Sequence, residues 1–354
     1  MKRALLYLLV LSLFLLTGCS PDVGSHSMKN SPKLVFRLSN ELKPDSRIWE
    51  VANLFRNELE KESPEGNIKA GEIKVVFYDQ GTVGSERQLL ESCFFDALEM
   101  IQVNSSILTT LDPAYSILDL PYLFVTEEQH VAVLNGETGK KFLQRLERFN
   151  LHGLGFYSTG FRNLFYKSPL DSIEVKTPHD FHGLKIRVME SSVMINSINA
   201  IGATATPIPF SELFQSMKTG VVDGAENSAR IFMSYKYYEA GCNQFTLTEH
   251  FANQHMLIAN AKWFASLAPK YQKRIAEAIA ISQRQFDEIW KHTTEESLKD
   301  MQAQGVMINK IEDKTPFILQ ANKVIEQFSR KYPAEAEELL FDIMNTRNES
   351  FENN

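Results

Sequence analysis

From residue 33 onward, apolar and polar positions repeat with two different periods. "KLVFRLS" (33–39) alternates as a strand does, and in "PDSRIWEVANLFRNELEKES" the residues Ile48, Val51, Ala52, Leu54, Phe55 and Leu59 share one face of a helix. "GEIKVVFYDQG" (71–81) predicts a second strand ending in a glycine turn, and "GSERQLLESCFFDA" a helix with Ser85 as its N-cap. "LEMIQVNSS" predicts a third strand that stops at Asn104. This βαβαβ alternation predicts a parallel sheet with helices on its faces, and ligands of such sheets bind beyond the carboxyl ends of the strands. Glu86, Asn104 and the residues just past Leu38 fall at such ends.

The pattern then recurs. "HGLGFYSTGFRNLFYKSP" (152–169) is two apolar runs around Gly160, followed by the strand "GLKIRV", a helix, "GATATPIP", the helix "FSELFQSMKTG", the strand "VVDGAEN" and a further helix. "HMLIANAKWF" (255–264) predicts a returning strand, and residues 269–305 one long helix. No fixed-period repeat marks a solenoid. Two α/β units joined by crossing segments predict two lobes with a ligand cleft between them.

The first residues stand outside this pattern. Lys2 and Arg3 precede the apolar run "ALLYLLVLSLFLL", which is short for a membrane span and fits a secretory signal. It ends in "LTGC" (16–19), which resembles a bacterial lipobox with Cys19 as the lipidated residue. "SPDVGSHSMKNSP" (20–32) is the polar, Ser/Gly/Pro-rich composition of a flexible tether. Without Lys2 and Arg3 the chain carries 35 basic against 44 acidic residues and no Lys/Arg block, which argues against nucleic acid or an anionic membrane surface as a partner. Cys93 and Cys242, the cysteines besides Cys19, do not make a disulfide framework.

Signatures of chemistry are mostly missing. There is no G-x-S-x-G, H-E-x-x-H or G-x-G-x-x-G, and "GETGKK" (136–141) lacks the spacing of a P-loop. His179, Asp180 and His182, like His250 and His255, match no standard metal spacing, so no metal or cofactor is expected. Charged and polar groups at predicted strand ends are the stronger signal: Arg162 after "STGF", Arg187 after "GLKI", Asn227 closing "VVDGAEN". A guanidinium matches a carboxylate through two parallel hydrogen bonds. The alternative is that each arginine pairs with a structural carboxylate.

The stretch "LKIRVMES…NAIGATATPIPFSELFQSMKTGVVDGAEN", together with "GSERQLLE" (84–91), "LDLPYLF" (118–124) and "GFRN" (160–163), resembles the solute-binding proteins of tripartite ATP-independent periplasmic (TRAP) transporters, the DctP family. The resemblance covers residues 33–310. It implies an α/β, two-lobed periplasmic-binding-protein-like fold with a long lobe-spanning helix, closing around an organic acid and delivering it to membrane permease subunits. Lobe I would hold 33–159 and 253–292, lobe II 160–252 and 293–354 with the C-terminal helices. By the resemblance Arg187 clamps the carboxylate, Arg162 is a second cation, Asn227 contacts the ligand and Phe210 walls the pocket. Glu86 and Asn104 reach the ligand's distal end from the opposite lobe. Some sialic-acid-binding members carry an amide where this chain has Glu190; a carboxylate there accepts bonds from hydroxyls and repels a second ligand carboxylate. That favours a monocarboxylate sugar acid, such as a uronate or aldonate, over a C4-dicarboxylate.

A monomer without enzymatic activity is expected, on the periplasmic or extracellular face of the membrane. Two rival readings are a hydrolase or lyase using Glu86 and Glu190 as paired carboxylates, and a ligand-sensing module. The anchor has its own test: Cys19→Ala should leave the protein uncleaved or release it into the soluble fraction. A mature N-terminus mapped by mass spectrometry to any residue but Cys19 refutes the lipobox.

Overall fold

The computed structural model describes residues 31–168 and 175–352; the signal segment, Cys19 and most of the tether lie outside them. Strand β1 (Leu34–Ser39) leads into α1 (Glu50–Leu59), β2 (Ile73–Tyr78) into α2 (Glu86–Phe94), and β3 (Met100–Asn104) follows. Two helices, α3 (Glu127–Asn135) and α4 (Glu137–Arg145), precede the long strand β4 (Leu151–Tyr166). The second unit comprises β5 (Lys185–Val188), α5 (Ser192–Ala200), β6 (Thr204–Pro207), α6 (Leu213–Lys218), β7 (Gly224–Asn227) and α7 (Ala229–Ser234). Then come β8 (Gln244–Asn260), α8 (Ala261–Ser266), α9 (Pro269–Trp290), α10 (Thr293–Ala303), β9 (Met307–Lys310), α11 (Thr315–Lys331) and a C-terminal helix, Phe341–Glu352.

All strands join one sheet of order β2-β1-β3-β8-β4-β7-β5-β6, with β9 beside β8. The predicted parallel pairings form at both ends: β1 with β2 and β3, β5 with β6 and β7. The middle is antiparallel, because β4 and β8 run against each other and against β7 and β3. The sheet is therefore mixed, with two parallel halves joined by two crossing strands. Strand residues alternate between its faces: Met100 and Leu257 pack with α1 and α9, while Ile101 and Ile258 pack with α2 and α4. Burial on both sides is why these strands read as nearly continuous apolar runs.

Three expectations change. The two apolar runs around Gly160 are one sixteen-residue strand, in which Gly160 takes a φ of 72° at a register shift between Ser158 and Phe161. A bulge accommodates this left-handed residue without ending the strand. The returning strand begins at Gln244, well before His255, and ends at Asn260, whose side chain caps α8 by accepting from Trp263 N–H at 2.8 Å. Its polar residues Thr246, Thr248, His250, Asn253 and Gln254 are buried at the sheet centre, which hid the strand's apolar signature. The long helix is two: α9 packs on α1 and β4, α10 on α7, and Lys291–His292 separate them. His292, Thr293 and Thr294 are weak helix formers, and Glu295 and Glu296 suit the first turn of a new helix.

The chain's end divides between the halves. α11 packs on α5, whereas the C-terminal helix packs on α3. Cys93 and Cys242 are both buried and free.

Close approach across the sheet leaves no room for a side chain at Gly224, where a Cβ would stand 2.1 Å from the Phe165 carbonyl oxygen across the β4–β7 pair. Gly224→Ala should therefore destabilise the fold by about 1–3 kcal/mol, the usual cost of overpacking. A lower urea midpoint at unchanged m-value would carry the effect; an unchanged midpoint would show that β7 shifts freely.

Candidate ligand-binding site

The carboxyl ends of β1, β3, β5 and β7 face a cavity of about 370 Å³, open mouth included. That is within the ~300–1,000 Å³ of small-molecule pockets. Six of the seven residues expected to bind ligand line it: Glu86, Asn104, Arg162, Arg187, Phe210 and Asn227. Glu41 and His255 line it too.

Arg187 occupies the third position of β5 and is 3 % exposed. Its Nε donates to the Ile208 carbonyl at 2.7 Å, and the Phe210 ring lies 5.8 Å from the guanidinium carbon. Phe210 is itself held edge-on to Tyr235 at 4.8 Å. These contacts fix the plane of the fork, and no carboxylate among the described residues pairs with it. Burial makes the charged guanidinium costlier and lowers its pKa, partly offset by the charge of Glu226. A buried guanidinium with an open bidentate face matches the geometry of a carboxylate.

Arg162 differs. It sits between two register shifts of β4 and is 2 % exposed. Its Nε and Nη2 hold both carboxylate oxygens of Glu226, Nη2 also reaches the Glu226 carbonyl at 2.9 Å, and Nη1 donates to Asn253 Oδ1 at 2.8 Å. The structural-partner alternative therefore holds for Arg162, leaving one Nη1 hydrogen uncommitted. Asn253 Oδ1 also accepts from Asn104 Nδ2 at 2.7 Å, so β3, β4 and β8 share one buried network. Asn227 Oδ1 accepts from Ser228 N–H at 2.8 Å, which orients its amide.

The opposite wall is acidic. Glu86 Oε1 accepts from Asn104 N–H at 2.8 Å, and Glu41 Oε2 accepts from Glu86 N–H at 3.2 Å. Burial, with the negative charge of Glu41 nearby, pushes the Glu86 carboxyl up to about 8; the bond from Asn104 N–H and the charges of Arg187 and Arg162 oppose this. Burial and the charge of Arg162 lower His255 to about 3, so its ring is neutral. Among the described residues no cluster of His, Cys, Asp and Glu could hold a metal.

Glu190, the seventh, lies outside the chamber's lining. Its carboxylate lies at the mouth, on Arg87 of α2, with Nε 2.8 Å from Oε2 and Nη2 on the same oxygen. Ser191, the next residue, is the side chain that caps α5. The carboxyl groups that line the chamber are those of Glu41 and Glu86. Sequence reasoning stopped just short of Glu41, two residues beyond β1, and passed over Glu226 inside the quoted "GAEN". Asn253 and Arg87 carried no local signal.

The profile of the family described as "Bacterial extracellular solute-binding protein, family 7" (DctP) matches residues 38–331. A protein of Chromohalobacter salexigens called a solute-binding protein is 31 % identical over 278 residues, 78 % of this chain and 81 % of that one. A crystal structure of a TRAP periplasmic solute-binding protein from C. salexigens with bound D-glucuronate superposes with a TM-score of 0.80, at 28 % identity, over 88 % of this chain and 99 % of that one. The sugar-acid-binding protein of Advenella mimigardefordensis in complex with galactonate gives 0.82, at 27 % identity, over 90 % and 99 %. With this profile match, and the shared two-lobed architecture, the chain belongs to the DctP family, the periplasmic solute-binding components of TRAP transporters.

Proposed function

We propose that this protein captures a monocarboxylate sugar acid, a uronate or aldonate, between two hinge-closing lobes and hands it to TRAP permease subunits. The observation that carries the reading is Arg187: a buried guanidinium whose Nε and ring neighbour fix its orientation while its fork faces the chamber. Glu41 and Glu86 on the facing wall suit hydroxyls, and the negative charge of Glu41 opposes a second carboxylate. The glucuronate and galactonate held by the two structural relatives support the same class. Lobe I would combine 33–159 with 253–292 and lobe II would take most of the remainder, with Cys19 as lipid anchor of a monomer. Glu190, committed to Arg87, gives the paired-carboxylate hydrolase no support.

A thermal-shift screen of sugar acids, followed by calorimetry, tests the reading directly. A closed cleft excludes water, so a ligand carboxylate without Arg187 becomes a buried unpaired charge, at a cost of about 3–5 kcal/mol. That is roughly two to four decades of affinity. Arg187→Ala should abolish binding at micromolar ligand with the fold intact, and Arg187→Lys should fail nearly as badly. Lysine binding within a few-fold of wild type would refute the bidentate clamp.

Glu86 adds a pH dependence. With its folded pKa raised to about 8, the native state holds a proton that the unfolded chain has released above the ordinary Glu value of about 4.3. Its contribution to stability is complete below that value and is lost as pH rises toward 8. Wild type should lose stability relative to Glu86→Gln between about pH 5 and pH 8, measured by urea unfolding. Parallel pH profiles for the two proteins would exclude a proton on Glu86.

A further inference from the structure

Beside the ligand chamber lies a vestibule of about 380 Å³ that shares Glu41, Glu86, Arg187 and Phe210 with it. Arg87 and Glu190 line this vestibule and are half-exposed there. They come from opposite halves of the sheet. Arg87 is on α2, between β2 and β3, and Glu190 follows β5. Other bonds cross between the halves, but they use backbone groups: Glu41 Oε1 accepts from Ser211 N–H at 2.8 Å, and Arg230 Nη2 donates to the Asp45 carbonyl at 2.9 Å. The Arg87–Glu190 contact is a pairing of two side-chain charges.

Local structure does not account for either residue. α2 is secured at its start by Gln88 Oε1, which accepts from Ser85 N–H at 2.9 Å, and α5 by Ser191. Arg87 is the second residue of α2, where the helix dipole disfavours a cation. A cation there gains only by reaching an anion elsewhere, and the anion it reaches is across the mouth. Both ends of the pair stand on secured helix starts, so the contact reports the closeness of the halves and not the order of a loop.

We propose that Arg87 and Glu190 form a latch that holds the cleft closed and slows ligand release. Both are positioning residues: they act on the lobes, while Arg187 acts on the ligand. The inference rests on the reading of the cleft as a sugar-acid site. An exposed pair contributes modestly, so each single neutral variant, Arg87→Gln or Glu190→Gln, speeds release up to about fivefold. The association rate stays unchanged. The double variant releases no faster than the faster single one, because the two losses are the same interaction. Raising salt to 0.5 M brings wild type toward the variants.

Stopped-flow release of D-glucuronate, at low and high salt, reads all of this on the wild type and three variants. Additive losses, salt-insensitive release or unchanged single variants would overturn the latch. Apo-protein unfolding midpoints should stay level across the set; a drop in either single variant assigns that residue a structural role instead. If wild type binds no sugar acid in calorimetry, the functional reading fails and the latch is read without ligand. Pulsed EPR between spin labels on the two halves should then show a smaller closed fraction in each single variant and at high salt, and an unchanged fraction refutes it.

Discussion

Two guanidinium groups lie within one cavity, and a single carboxylate decides which of them is free. Glu226, 0 % exposed on β7, takes the Nε–Nη2 edge of Arg162 and leaves Arg187 without an anionic partner. Two buried arginines with no counter-charge would repel each other and pay two desolvation costs. Pairing one of them fixes the antiparallel β4–β7 contact through side chains as well as backbone, and lets the other remain uncompensated. The neutralised Arg162 still shapes the field that the ligand meets, and through Asn253 it ties Asn104 to the same framework.

The rest of the cleft follows from how the sheet is built. Parallel halves send the carboxyl ends of β1, β3, β5 and β7 toward one chamber, where short loops can place side chains with precision. Two long antiparallel strands cross between them, and both carry irregular pairing near their middle, at Ser158–Phe161 and Arg162–Leu164. The break between α9 and α10 adds a second interruption in the connections. Movement of the halves about these strands is consistent with hinge closure.

The acidic wall sets a second chemistry opposite the cation. Glu86 is desolvated, lies near Glu41 and accepts from Asn104 N–H, so it is poised between a neutral donor and an anionic acceptor. Hydroxyl groups satisfy either state.

Much of this was legible along the chain. The strands at 34–39, 73–78, 100–104, 185–188 and 224–227 follow from apolar periodicity, and Arg187, Asn104 and Asn227 stand at or beside their ends, which is where such sheets hold ligands. Those properties are local, set by backbone geometry over a few residues. What tertiary structure decided depends on residues far apart: Arg162 with Glu226 across 64 positions, Arg87 with Glu190 across 103, Glu41 with Ser211 across 170. The unbroken β8 belongs with these, since buried polar residues such as Asn253 and Gln254 bond to Arg162 and Ser105 on other elements. A sequence reveals which groups could pair, but the choice among them is an energy difference between contacts that exist only once the chain has closed on itself.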